Sequence, residues 1–247
     1  MAIYDTSLDI INAAAVECGL GTFSSAFSST DDAAIQLRTL LTQCGRELQG
    51  AYQWQQLLSS ATISTGASPV SNGQYDLPSD FGYMINQTGW SPNSSGVGLP
   101  LGGPLTEQVW SALVGTNLAS STIYVSFKIA SGVIQVLPAP APANITLTYK
   151  YMSQNWVRVH GSTSSLATKV QYDDDVILFE SILITKMLAA RYKQAKGLDA
   201  SAQLEQFESR FASAISLNAP SATLKLATVS GFPYLSVQNI PQSGFGS

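Results

Sequence analysis

The sequence predicts an α+β protein: a discontinuous bundle of about four helices, an inserted antiparallel β-sandwich or barrel, and an extended C-terminal tail. Three observations carry this expectation. Apolar residues recur at helical spacing before residue 58 and again after residue 173. The stretch between them breaks into short β-rich runs separated by Gly, Pro, Ser and Asn. Periodicity then stops after Asn218. The expected division is a helical domain at 1–58 and 173–217, a β domain at 59–172, and a tail at 218–247. With 247 residues, 45% of them hydrophobic, the chain is long enough to bury such a core.

The first helix is announced by Thr6-Ser7-Leu8-Asp9, a capping pattern followed by Leu8, Ile11 and Ala15 on one stripe, and it stops at Cys18-Gly19. The second starts at Ser29-Thr30-Asp31-Asp32, carries Leu37, Leu40, Leu41, Cys44, Leu48 and Tyr52 on one face, and runs into Trp54. Strands are expected at 61–64, 74–77, 83–87, 123–130, 133–137 and 144–152. Ser131-Gly132 marks a tight hairpin turn, and Pro138, Pro140 and Pro142 a stiff connector. Thr106 to Leu113 reads as a short helix covering an open end of the sheet. The run Asp173-Asp174-Asp175 predicts the N-terminal cap of a helix from about Asp174 to Ala195, roughly 30 Å long. Lys193 and Lys196 would sit at its negative end and Gly197 would end it. Asp199 is expected to cap a last helix with Leu204, Phe207, Phe211 and Ile215 on one face.

The tail residues Phe232, Tyr234, Leu235, Val237 and Ile240 are too apolar for a purely disordered segment. They read as anchors that order against another subunit, or alternatively as one more strand of the protein's own sheet.

Only 11% of residues are charged, against about a quarter in an average soluble domain, which suits permanent contacts better than free solution. Lys+Arg 12 against Asp+Glu 16 leaves no cationic surplus for gripping phosphates, so DNA could slide past without being bound specifically. No stretch approaches the roughly 20 apolar residues of a membrane helix, and the N-terminus has no signal-peptide pattern, so a soluble cytoplasmic product is expected. Cys18 and Cys44 sit in helical patterns and are expected as reduced thiols.

Little in the chain points to chemistry. His160 is the single histidine, reads as a surface-loop residue, and has no second imidazole to share a metal. No phosphate loop occurs, and the glycines between Gly98 and Gly103 read as turn residues. Asp173, Asp174, Asp175 and Glu180 could in principle supply the paired carboxylates of a glycoside hydrolase, but helix capping explains them without catalysis. Trp54, Trp90, Trp110 and Trp156 read as core or interface rings. No catalytic residue, cofactor or metal ligand is assigned.

An ordered series of strings resembles one family. It begins with Trp54-Gln55-Gln56-Leu57-Leu58, then Tyr75-Asp76-Leu77-Pro78-Ser79-Asp80-Phe81 and Thr88-Gly89-Trp90. It continues through Val133 to Pro140, Leu147 to Ser153 and Trp156, and ends with Asp173-Asp174-Asp175, Glu180, Arg191-Tyr192-Lys193 and Gly197-Leu198-Asp199-Ala200. From about residue 50 to 210 this resembles the head-to-tail adaptor proteins of short-tailed phages, the tail tubular protein A type. The resemblance marks Trp54, Leu77, Pro78, Asp80, Phe81, Trp90, Trp156, Asp174 and Glu180 as structural motif residues. It implies a non-enzymatic virion subunit at the head-tail junction, commonly in a ring of twelve, with the portal protein on one side and a tail nozzle or hub on the other. Genomic DNA would pass through the lumen, and Phe232, Tyr234, Leu235, Val237 and Ile240 would face the portal. A peptidoglycan hydrolase of the virion and another tail or baseplate component are the alternatives. Independently of any family, Leu77-Pro78-Ser79-Asp80-Phe81 reads as a corner: proline ends a strand, Asp80 satisfies turn amides, and Phe81 returns to the core.

Overall fold

A computed structural model describes residues 4–64, 73–92, 98–115, 125–137, 146–162 and 164–218. Helix α1 (Ser7–Glu17) begins where the sequence says, with Thr6 as N-cap: its hydroxyl accepts the Asp9 amide and donates to the Asp9 carboxylate. At its other end Gly19, with φ +75°, donates to the Val16 carbonyl while Leu20 donates to that of Ala15, the paired bonds of a left-handed glycine stop. Helix α2 (Asp32–Ala51) is capped by Asp31, which accepts the Ala33 amide at 2.8 Å. It buries Leu37, Leu41, Cys44 and Leu48 along one stripe. A single 3-10 turn, Gln55–Leu57, leads from it into the first strand.

Helices α4 (Ser181–Ala195) and α5 (Ser201–Asn218) complete the helical part, while α3 (Glu107–Gly115) lies beside the strands. α4 packs on α1, α2 and α5 and is buried on most sides, including Leu183, Ile184, Leu188 and Ala189. Gly197, φ +71°, closes α4 with the same glycine stop as α1. Asp199 accepts the Ser201 amide at the start of α5, and that bond holds its carboxyl below the usual carboxylate range.

The strands form three antiparallel sheets. In the first, β8 (Thr146–Ser153) takes β1 (Leu58–Ser64) along one edge and β3 (Phe81–Met84) and β4 (Trp90–Pro92) along the other, with β5 (Gly98–Pro100) beyond β4. The second orders β2 (Gln74–Asp76), β7 (Val133–Leu137) and β6 (Ser126–Ala130). Its β6–β7 hairpin turns at Ser131 and Gly132, both with positive φ (53° and 78°), as a two-residue turn between right-twisted strands demands. The third joins the two-residue strands β9 (Val157–Arg158), β10 (Leu166–Ala167) and β11 (Val176–Ile177).

Two apolar cores result. One gathers the buried faces of α1, α2 and α4 with Trp54, Trp156 and Phe179. The other gathers Ile63, Phe127, Ile134, Val136 and Leu147 from the first two sheets. β8 serves both, because alternate residues of a strand face opposite ways: Leu147, Tyr149 and Tyr151 enter the second core and Met152 the first.

Four expectations are corrected. The described sheets are open, and no closed barrel exists among the described residues. The aspartate run does not cap α4: that helix begins at Ser181 with Glu180 in the N-cap position, which shortens it to 15 residues, and Val176–Ile177 is strand. The reason is competition for the carboxylates: amides of the distant Ala26 and Phe27 claim Asp173, and the preceding loop at Gln171 and Tyr172, with His160, claims Asp175. Gly98 belongs to β5 and not to a turn, because Trp90–Pro92 offers it a strand partner. Finally, the strand expected at 83–87 is shifted toward the N-terminus, as β8 pairs with Phe81, Tyr83 and Met84, and Gln87 takes a positive φ of 61°. The proline connector at 138, 140 and 142 lies outside the described residues.

Candidate assembly site

The corner motif is tied to the strand it faces. The Phe81 amide donates to the Pro78 carbonyl at 2.9 Å, closing the turn, and Phe81 lies against Tyr151 with ring centroids 5.6 Å apart. Leu77 is half-buried against the second core. Asp80 does not satisfy turn amides as its type suggests. Its carboxylate accepts the Tyr151 hydroxyl at 2.8 Å and the Ser153 hydroxyl at 2.7 Å, and its carbonyl accepts the Gln154 amide. Burial pushes the Tyr151 phenol up to about 12, aided by the hydrogen bond to Asp80 and that carboxylate's charge.

This corner yields a prediction. Asp80→Ala removes the charged acceptor shared by the hydroxyls of two buried residues, Tyr151 and Ser153, and should cost about 2 kcal/mol in denaturant unfolding. Because the folded phenol lies above its ordinary value near ~10, its contribution is complete below that pH and fades as pH rises toward 12. Tyrosine absorbance should therefore show Tyr151 of the variant titrating at lower pH than in the parent. An unchanged titration would refute the role given to Asp80.

The tryptophans divide between cores and edges. Trp54 is buried and donates from Nε1 to the Leu48 carbonyl at 2.6 Å, edge-on to Tyr52, Phe179 and Phe211. Trp156 is fully buried and stacks on Phe179, with its ring over Gly45 of α2. Trp90 lies half-buried in β4, paired with Thr148 of β8. Trp110 lies under the Lys128 ammonium, 4.9 Å from the ring centroid, and Lys128 also pairs with Glu107 at 2.7 Å; together these hold α3 to β6.

The aspartate run forms a clasp. Asp173 accepts the Ala26 and Phe27 amides at 2.8 and 3.2 Å and the Ser25 hydroxyl. Asp175, 1% exposed, accepts the amides of His160, Gln171 and Tyr172 at 2.9, 2.7 and 2.9 Å. The backbone of the same loop receives the start of α1: the Ser7 and Leu8 amides donate to the Asp175 and Asp173 carbonyls. The buried Ser7 hydroxyl lies 2.7 and 2.8 Å from the Tyr172 and Asp173 carbonyls. Asp174 alone faces outward, 3.7 Å from His160, which is exposed as expected. With the oxygens of Asp173 and Asp175 filled by the protein's own donors, the run offers no free acid and base pair. Among the described residues, no group of three or more His, Cys, Asp and Glu is disposed to hold a metal ion, and no helix is long and apolar enough to cross a membrane.

Cys18 and Cys44 are free thiols; burial raises both, Cys44 to about 12. Such a thiol stays protonated and unreactive at neutral pH.

The C-terminal end of α5 is tied to the start of the 3-10 turn. Asn218, the last residue of α5, accepts the Gln55 amide on its side-chain oxygen at 3.3 Å, and its carbonyl accepts Gln55 Nε2 at 2.7 Å. An open concavity of about 670 Å³ adjoins it, lined by Tyr4, Trp54, Gln56, Glu180, Arg210 and Leu217 among others. Leu217 is 83% exposed there, and Glu180 lies 3.8 Å from Arg210. Phe232, Tyr234, Leu235, Val237 and Ile240, expected as anchors, lie outside the described residues. Sequence reasoning missed the Gln55–Asn218 link, because bonds between side chain and backbone of residues so far apart in the chain carry no local signal.

The profile of the SU10 adaptor protein family matches residues 5–228, taking in every described helix and passing the end of α5. No curated protein matches the chain. A match over nearly the whole length shows that the chain belongs to the SU10 adaptor protein family: it is a phage adaptor, which implies a structural component of the virion at the head-tail junction.

Proposed function

We propose that this protein forms a ring, of twelve subunits, beneath the portal of a short-tailed phage and joins the portal to the tail nozzle or hub. The genome passes through the ring's lumen, and during ejection leaves by it, without specific binding. The C-terminal segment beyond Asn218 clasps the portal through Phe232, Tyr234, Leu235, Val237 and Ile240. In this reading 1–58 and 173–217 form the helical domain, 59–172 the inserted β domain and 218–247 the tail; the second apolar core, drawn from residues 61–151, supports a separate β body, while Met152, Trp156, Val157 and Val170 pack into the helical core.

The observation that carries the reading is the tail's root. A segment that must transmit contact to a neighbour needs a fixed origin, and the Gln55–Asn218 bonds supply one beside an exposed Leu217. The low charge supports a permanent interface, and the net charge of −4 supports a lumen that does not grip phosphates.

The test is deletion of the residues after Asn218. The truncated chain should keep its helical circular dichroism and its thermal transition, yet fail to assemble on the portal in electron micrographs of the mixture. Normal assembly of the truncated chain would remove the clasp.

A further inference from the structure

Once the internal ion pairs of the helical part are counted, two of its faces keep charge of opposite sign. On the face of α2, the acid Glu47 is taken by Arg191 at 2.6 Å. Arg38 and Arg46 remain without a carboxylate partner among the described residues; Arg38 reaches only the Phe27 carbonyl. The two arginines flank a groove of about 470 Å³ whose apolar side is Phe27 and Val170. On the face of α5 the situation reverses. Lys186 is taken by Glu17 at 2.7 Å and Arg210 lies by Glu180 at 3.8 Å, while Glu205 and Glu208 have no cationic partner among the described residues.

α5 is also incompletely covered. Of its 18 residues only Ala214 is buried, and the apolar stripe Leu204, Phe207, Phe211 and Ile215 is half-exposed. α2 and α5 both pack on α4 yet line separate grooves, so one copy can present both faces at once. Two different patches on one molecule, complementary to each other, give a head-to-tail contact that repeats from copy to copy.

We infer that the Arg38–Arg46 face of α2 in one subunit docks the Glu205–Glu208 face of α5 in the next copy of this chain. This rests on the ring proposed above and names the surfaces that build it. The chain's own tail is the poorer occupant of the arginine groove, because residues 219–247 contain one lysine and no acidic residue. The low stake of single surface pairs is overcome here by several charges acting together over an apolar floor.

The test is charge reversal in the full chain, read by sedimentation velocity at low and physiological salt. R38E/R46E and E205K/E208K should each weaken self-association by roughly tenfold or more, since each sets like charge against like. Mixing the two variants, or combining all four changes in one chain, should restore association. If the unaltered chain does not self-associate alone or on the portal, the ring reading fails and this interface with it. If it does associate and the variants do likewise, or the mixture is not rescued, the ring stands and the interface is wrong. Loss of DNA retention by R38E/R46E with association unchanged would assign the groove to nucleic acid and overturn the proposal.

Discussion

Replacing Gly45 by alanine is expected to lower stability by about 2–3 kcal/mol, with a fall in Tm of roughly 5–10 °C. In an exposed helix the same change would stabilise by about 1 kcal/mol, because glycine is a poor helix former. Here the position is buried, and a Cβ would penetrate the Trp156 ring, well inside van der Waals contact. Trp156 cannot retreat: it is fully buried and stacked on Phe179, which in turn meets Trp54. Interiors are packed to crystal-like density, so the clash spreads to α2 or to the ring stack. Trp156→Phe should relieve it, and the double variant should lie closer to the parent than the sum of the single changes predicts. Additive losses in denaturant unfolding would show that the close approach at Gly45 is not what limits the site.

Asp175→Ala is expected to cost about 3 kcal/mol. One carboxylate collects three backbone amides from residues 160, 171 and 172, and hydrogen bonds to a charged acceptor contribute more than neutral ones. Removing it leaves those donors without a partner and loosens the loop that receives the first turn of α1. Asp175→Asn, which keeps an acceptor oxygen but not the charge, should lose about half as much. Hydrogen exchange gives the sharper readout: the amides of His160, Gln171 and Tyr172 should lose protection, as should those of Ser7 and Leu8. If only the first three respond, the coupling between the clasp and α1 is absent.

Where local chemistry decides, the sequence was readable. Thr6 and Asp31 cap their helices, Gly19 and Gly197 end theirs, and Ser131-Gly132 turns its hairpin, because each acts within a few residues of itself. The aspartate run misled for the same reason. An acidic triplet before an apolar periodic stretch looks like a helix start, and nothing nearby reveals that amides more than a hundred residues away will claim Asp173. Strands β4, β5, β9, β10 and β11 escaped notice because they are two or three residues long, too short for alternation to register. At the candidate site, the corner at Pro78 was legible while the partners of Asp80 were not, since Tyr151 and Ser153 arrive through sheet pairing.

The Gln55–Asn218 bonds also decide how the molecule would answer a pull. Tension entering at the C-terminal end of α5 meets two hydrogen bonds beside Trp54 before it can unwind a helical turn. The strain is thus shared with the 3-10 turn and β1, which is zipped to β8 over seven residue pairs. Unwinding α5 from Asn218 must therefore break both bonds at its first step.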